Sequence, residues 1–449
     1  MKRLLILDGG GFCLDMVLRA QLAGWDCRWW DRPYDGGEPR CSGDGMVEKI
    51  KNFNEIWAKW MDWADVIYLP YNDLYLENLE PYRLRGYPIV APSPESSAWE
   101  TDRNAGQLVM KKAGLAVIPT VEFHDHDAAI AFVRKNPSYL VSKPSGDVSN
   151  DKSMSYVASG QDDLIYMLQQ WKKKPNLVKE ARSSGFILQE KIKGIEMAVG
   201  GWFGPGGWSK WWYENFEYKK MHNDDLGVAT GEMGTLSRMV TKSKLADMVL
   251  KPLTAQLEKV GYVGYIDNNC MINAEAPWPM EFTMRDGWPT RHNITAHIKN
   301  EDPVQWMLDL VNGKDTIECV DGEVCVSIVY TLPGFPSKNV INHKLVGIPV
   351  NGAEDWRHVH LNEVKMDMRP MMIGDKVVDM PGLVTTGDMP LIVTGTGSTI
   401  TAARRSAYNA IGKVKIPNNP AYRTDIGAGR MKRQLTELHK LGFARGLEF

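Results

Sequence analysis

The sequence predicts an α/β fold made of more than one unit, and three observations predict it. Short, continuously apolar runs alternate with helically spaced apolar residues through the first hundred residues. The alternation resumes between about 118 and 285, now with a lysine and several acids on or beside the apolar runs. Beyond about 323 the pattern turns to short strands broken by Gly and Pro. At 449 residues the chain is too long for one ordinary core.

Residues 3–7 (RLLIL) read as a strand buried on both faces. Gly9, Gly10 and Gly11 make a turn, and Leu14, Val17, Leu18 and Leu22 recur at helical spacing. Residues 27–30 are the next strand, and a helix carries Ile50, Phe53, Trp57, Trp60 and Met61 on one face. Strands at 65–69 and 88–91 complete a parallel unit over 1–100. The glycines do not make a dinucleotide fingerprint. Asp31 lies twenty residues past Gly11, but the third glycine position is Leu14. The five tryptophans Trp29, Trp30, Trp57, Trp60 and Trp63 suit core packing, or stacking on a base.

A helix opens at Thr101/Asp102 and stops at Gly114. Strands near 118–123, 139–143 and 153–157 alternate with helices at 127–135 and 162–171. Strands at 186–192 and 196–203 are joined by a turn at Gly194. A long helix over 242–260 is kinked at Pro252. Strands follow at 262–272 and 279–285, and helices at 399–412 and 430–441 close the chain.

Hydrophobic residues are 43% and charged residues 24%, and the net charge is -2. That balance gives no argument for a nucleic-acid or membrane partner. The N-terminal apolar run is about five residues long, too short for a signal peptide. None of the six cysteines is spaced CxxC, so reduced, buried thiols in a cytoplasmic protein are expected.

One ordered series carries chemistry. Lys143 ends an apolar strand below a polar loop holding Lys152, a placement suited to ATP phosphates. The segment with Gln189, Glu190 and Ile192 offers an extended edge to adenine, and Glu196 an acceptor for ribose hydroxyls. Asp267 and Glu281, on two strands of a hairpin, and Thr283 suit a hard cation that takes its other ligands from phosphates. Arg285 follows two residues after Thr283, expected on the same face as Glu281 and Thr283 and suited to a carboxylate or a transferring phosphate. Each member alone fits an ordinary surface charge; the order is the ATP-grasp arrangement.

With these residues in view, the chain resembles the phosphoribosylamine–glycine ligase family from about residue 1 to 430. Residues 383–397 (LVTTGDMPLIVTGTG), 422–427 (YRTDIG) and 323–336 resemble its closing segments. Residues 227–234 (GVATGEMG) are similar to its Gly-Pro-Asn-Thr-Gly-Gly-Met-Gly loop, and 281–289 (EFTMRDGWP) to its Glu-Phe-Asn-x-Arg-Phe-Gly-Asp-Pro segment. The resemblance implies a Rossmann-like N-terminal domain over 1–100 and a two-lobed ATP-grasp domain over 101–325, with a small lobe at about 118–190. A β-rich C-terminal domain over 326–449 follows. It implies an ATP- and Mg²⁺- (or Mn²⁺-) dependent ligase that joins glycine, or a similar amino acid, to phosphoribosylamine or a related aminated sugar or nucleotide through an acyl phosphate. Arg103 joins the implied ATP-binding residues, and Gly10, Gly11, Asp225, Thr230, Gly231, Met233, Arg285 and Gly287 become substrate-binding candidates. A monomer or homodimer is expected.

The departures are heavier on the substrate side. Arg103 replaces a lysine and Thr283 an asparagine, and Asp267 is an added acid. Phe12, Cys13 and Leu14 replace the family's Arg-Glu-His, and Trp288 and Thr290 replace acids. Amino-acid ligation in nucleotide or base modification, or a non-catalytic ATP-binding relative, are the competing readings.

Overall fold

The computed structural model describes the whole chain except residues 146–154, 301, 337–338 and 418–419. Its N-terminal sheet is parallel, in the order Asp26–Asp31, Arg3–Asp8, Val66–Tyr68, Ile89–Val90. Leu4 and Ile6 enter one hydrophobic core and Leu5 and Leu7 another, as the two-residue period of a doubly covered strand requires. The chain leaves Arg3–Asp8 to one side for the second strand and returns to the other side for the third. The crevice beyond the carboxyl ends of these strands is therefore a topological switch point.

A four-stranded antiparallel sheet follows, ordered Thr120–Phe123, Phe186–Glu190, Tyr139–Pro144, Tyr156–Val157. It has its own core of Ile130, Val133, Leu164, Leu168, Phe186 and Leu188. Ile195–Gly204 does not pair back on Phe186–Glu190 as a hairpin. It enters a different sheet of eight strands, ordered Pro277–Thr283, Gly264–Ile272, Ile195–Gly204, Gly207–Glu217, Gly234–Val240, Val324–Tyr330, Leu391–Gly397, Val359–Leu361. The turn at Gly194 is thus a link between sheets. The eight-stranded sheet runs unbroken through position 325, inside Val324–Tyr330.

Pro252 breaks the expected long helix outright. The segment divides into Lys244–Val249, a 3-10 turn Lys251–Leu253, and Thr254–Lys259, because proline lacks the N–H and its ring crowds the preceding turn. The helix expected around 50–61 starts only at Phe53 and holds a π turn at Ile56–Trp60. Trp29, Trp30 and Trp60 are buried in the cores, with Trp57 and Trp63 packed against them. The C-terminal third is not made of short strands alone: Val364–Ile373 and Lys376–Thr385 are ten residues each. Among the described residues no helix is long and apolar enough to cross a membrane.

Candidate active site

The strand Gly264–Ile272 lies between Ile195–Gly204 and Pro277–Thr283. Register sets Asp267 opposite Thr283 and Asn269 opposite Glu281. The two-residue period then puts Asp267 and Asn269 on one face, with the two acids of the hairpin as diagonal neighbours. Asn269 also lies beside the start of Ile195–Gly204, and its Nδ2 donates to Glu196 (2.8 Å) and to Glu217 (3.2 Å).

At the centre stands Lys219. Its Nζ is 2.9 Å from Glu196, 3.0 Å from Glu217 and 3.9 Å from Glu281. Arg103, at the first position of the helix Arg103–Lys112, reaches the other oxygen of Glu281 at 2.6 Å. Burial works against the Lys219 charge, but Glu196, Glu217 and Glu281 together hold its pKa well above the ordinary value. Burial likewise opposes the Glu196 charge, and the Lys219 ammonium nevertheless holds that carboxyl below its usual value. Contact with the Lys219 ammonium outweighs burial at Glu196.

Asp267 is different. Its Oδ2 accepts from Asn215 Nδ2 at 3.0 Å and from the Tyr265 hydroxyl at 2.8 Å. Burial, then the charge of Glu217, pushes its pKa up to about 7. The Tyr265 hydroxyl needs Gly200 behind it, since a Cβ there would lie 1.9 Å from the oxygen. Glu232 is buried beside this group, with Oε1 lacking a hydrogen-bond partner and a pKa raised well above the ordinary value by burial and then by Glu217.

The loop after Lys219 is fixed from the C-terminal end of the chain. Thr230 donates through both its N–H (2.8 Å) and its hydroxyl (2.9 Å) to the Lys219 carbonyl. Met233 N–H donates to the Tyr218 carbonyl at 2.8 Å. Asp225 accepts from Arg423 at 2.9 Å and also from Arg430. Arg423 is buried and donates further to Asp425 (2.6 and 2.7 Å) and to the Lys220 carbonyl (2.9 Å). Gly231 is exposed at the tip.

The other candidates lie elsewhere. Arg285 is paired with Glu100 at 3.1 Å, so it faces the helix Pro94–Thr101 rather than Glu281. Gly287 packs against Thr290, where an added Cβ would meet the hydroxyl at 2.8 Å. In the small sheet Gln189 donates to Thr120 at 2.9 Å and Glu190 accepts from Ser138 at 2.8 Å. Ile192 is half-buried in the link between sheets, and Lys143 is opposite Ile187. Lys152 lies outside the described residues.

At the switch point, the N–H groups of Gly10 (3.0 Å) and Gly11 (2.8 Å) donate to Asp8 Oδ1, and Cys13 N–H donates to Oδ2 at 2.8 Å. A protein carboxylate thus fills the nest that a pyrophosphate would need, which closes the dinucleotide alternative. Gly10 with Gly9 still lines a cavity of about 230 Å³, shared with Arg32, Arg40, Glu363 and Asp388. Arg40 stands 3.8 Å from Asp31 and 3.9 Å from Glu363, and Lys49 stands 4.0 Å from Asp31. Neither oxygen of the buried Asp31 has a hydrogen bond. Burial, then Asp388, pushes the Glu363 pKa to about 7.

The ring of charges sits in a segment that known families recognise. Residues 101–290 match the family described as Phosphoribosylglycinamide synthetase, ATP-grasp (A) domain. This stretch is similar to an ATP-grasp domain. A phosphoribosylamine–glycine ligase of Mycobacterium bovis is 25% identical over 223 residues, 47% of this chain and 48% of the relative. One from Methanosarcina acetivorans is 24% identical over 377 residues, 79% of this chain and 78% of the relative. The chain spans about half the length of the relatives of the first kind. A crystal structure of phosphoribosylamine–glycine ligase from Thermotoga maritima superposes with a TM-score of 0.71 at 19% identity, covering 94% of this chain and all of that one. The α/β architecture expected from the sequence is therefore the fold of that structure.

Sequence reasoning missed Glu217, Lys219 and Asn269 in the segment 101–290. Asn269 was readable, because it lies two residues from Asp267 on one strand and so shares its face. Glu217 ends the strand Gly207–Glu217 and Lys219 follows it, and that strand reads as an aromatic run without a motif.

Among the described residues no group of three or more His, Cys, Asp or Glu is arranged to hold a metal ion. The donor set still fits Mg²⁺, which takes one or two carboxylates and completes its shell with phosphate oxygens and water. Glu281 and Asp267 are hard oxygen donors on neighbouring strands, and the Lys219 ammonium beside Glu281 marks a place where positive charge is favoured.

Proposed function

We propose that this chain is an ATP-dependent carboxylate–amine ligase of the cytoplasm that uses Mg²⁺ or Mn²⁺. Its carboxylate is glycine or a similar amino acid, and its amine is phosphoribosylamine or a related aminated sugar or nucleotide. The observation that carries this reading is the Lys219 ring, with Glu196, Glu217, Glu281 and Arg103 in contact within an ATP-grasp domain. Relatives named phosphoribosylamine–glycine ligase support the substrate pair.

In this reading the γ-phosphoryl group passes to the carboxylate, giving an acyl phosphate and ADP. The amine attacks the acyl carbon and expels phosphate, leaving an amide. Arg103 and Lys219 offset the charge of the transferring phosphate, and Lys143 and Lys152 serve ATP from the small lobe. Gln189, Glu190 and Ile192 edge the adenine site, and Glu196 accepts from ribose hydroxyls. Bound Mg²⁺, held by Glu281 and Asp267 with Thr283 beside them, would supply further charge neutralisation on the phosphates. Arg285, held by Glu100, and Gly287 face the acyl group. Asp225, Thr230, Gly231 and Met233 shape the loop over it, and Gly10 and Gly11 border the amine pocket at the switch point. Holding two reactants in line can contribute on the order of 7–11 kcal/mol. In this division 1–100 carries the amine pocket, 101–325 the nucleotide and 326–449 closes the pocket from the far side.

The test is ADP release with Mg²⁺-ATP, glycine and phosphoribosylamine generated in place. Release is expected only when both partners are present, and Glu281→Gln lowers it at least about 100-fold. Release that needs an amino acid but ignores phosphoribosylamine moves the amine to another aminated compound. Equal release by wild type and Glu281→Gln overturns the ligase reading.

A further inference from the structure

Beside the Lys219 ring lies a buried set of hydrogen-bond acceptors that have no donor. Antiparallel register puts Asn215 and Asn269 on one face, both opposite Ala198 of the strand between them. Glu217 and Asp267 stand two residues along on the same face. Asn215 Nδ2 donates to Asp267 at 3.0 Å, and Asn269 Nδ2 donates to Glu196 and Glu217 at 2.8 and 3.2 Å. The carboxylates therefore fix which way each amide points. The Oδ1 atoms of both asparagines are left buried and without a hydrogen-bond partner.

Glu232 is the third member. It is 3% exposed, and its Oε1 is also buried without a hydrogen-bond partner. The loop pins it on both sides. Thr230 donates its N–H and its hydroxyl to the Lys219 carbonyl, and Met233 N–H donates to the Tyr218 carbonyl at 2.8 Å. Glu217, Asp267 and Lys219 are the charges that act on Glu232, which places it at the ring. Gly231 next to it is exposed, with open space where a Cβ would stand, so the loop meets solvent there. Glu232 also occupies a position that is glycine in the loop this segment resembles. A buried carboxylate without a partner costs folding free energy that a bound cation would offset.

On the ligase reading above, we propose that Glu232, with the free oxygens of Asn215 and Asn269, binds the ammonium group of the amino-acid substrate. Three acceptor oxygens, one of them on a carboxylate, match an alkylammonium, which has three donors and no acceptor. The ring already holds one such group, the Lys219 ammonium at 2.9 and 3.0 Å from Glu196 and Glu217. Mg²⁺ fits this place less well, because it takes carboxylates and phosphate oxygens, and two of these three oxygens are amide. An α-amino acid carries its ammonium one carbon from the carboxyl group that is phosphorylated. Glu232 thus makes the enzyme select amino acids over carboxylic acids that lack the amine.

Calorimetric titration of the full chain with glycine and with glycolate, each with Mg²⁺-ADP present, tests this without turnover. Glycolate has a hydroxyl where glycine has its ammonium. Wild type is expected to bind glycine at least about 30-fold more tightly than glycolate. Glu232→Gln keeps the shape, removes the charge and brings the two within about 3-fold by weakening glycine alone. Its denaturation midpoint matches or exceeds that of wild type, because no cation of the chain loses a partner. Glycine bound equally by both proteins, or by neither, overturns the proposal. So does a marked fall in the midpoint, which makes Glu232 structural, or a fall in Mn²⁺ affinity with glycine binding unchanged, which gives it to the metal. Glycine binding as described with no ADP release from wild type removes the ligase reading and leaves the ammonium subsite standing.

Discussion

Two charged regions of this molecule differ in one respect, contact. In the ring around Lys219 the opposite charges touch, at 2.6 to 3.0 Å for Arg103–Glu281, Lys219–Glu196 and Lys219–Glu217. In the switch-point cavity they stand apart, at 3.8 to 4.0 Å for Arg40 and Lys49 about Asp31 and Glu363. Contact with Lys219 holds Glu196 below its usual pKa although burial opposes it. Standing off leaves burial in command, so that Glu363 is raised to about 7 and Asp31 well above its ordinary value. The ring is a finished electrostatic device, and the cavity walls have polar groups whose pairing is incomplete.

The sharpest way to break the contrast is Lys219→Met. It removes the shared partner of three carboxylates while keeping the length of the side chain. ATP-dependent ADP release is expected to fall by about 10²–10³-fold, with Lys219→Arg retaining more than Met. Unchanged turnover in the Met variant would detach the ring from catalysis.

Arg423→Met tests whether the ring depends on the distant segment that fixes its loop. The guanidinium is buried and serves Asp225, Asp425 and the Lys220 carbonyl, so its loss takes the charged partner from Asp425 and leaves Asp225 to Arg430 alone. Chemical denaturation is expected to show a loss of about 3 kcal/mol, with turnover falling as well. A stability loss below about 1 kcal/mol would mean that water serves these acids in its place.

The smallest effect sharpens the cavity side. Glu363 has a folded pKa raised to about 7, so the folded state holds its proton where the unfolded chain has released it. Stability from this group is therefore greatest at low pH and falls as pH rises from about 4.5 to about 7. Glu363→Gln removes that slope. At pH 8 the variant should gain about 2 kcal/mol over wild type relative to the difference at pH 4.5, read from denaturation midpoints. Parallel pH profiles would show that Glu363 is already ionised and paired in the folded protein.

Much of the fold was legible because it rests on local pattern. Leu4 to Leu7 announce a doubly buried strand, and Asp102 and Gly114 bracket a helix that runs Arg103–Lys112. The site was legible in part. Glu196, Glu281 and Arg103 were named and do meet, but Arg285 was expected on the face of Glu281 and is held by Glu100 instead. The reason is that Pro277–Thr283 ends before Arg285, so the two-residue period no longer applies to it. Lys219 escaped because nothing local distinguishes it from Lys220 beside it.

The sequence by itself determined the elements and the kinds of charge they carry: the parallel N-terminal unit, the acids on the late hairpin, and the Thr-Gly-x-Met-Gly loop. Tertiary structure alone decided which charges meet and which are left apart. Lys219 and Glu281 lie far apart along the chain, and Arg423 reaches back to Asp225 from near the C-terminus. Such pairings depend on sheet order and register, and the resulting pKa values depend on how fully the pair is withdrawn from water. Neither quantity is local, so no stretch of sequence contains it.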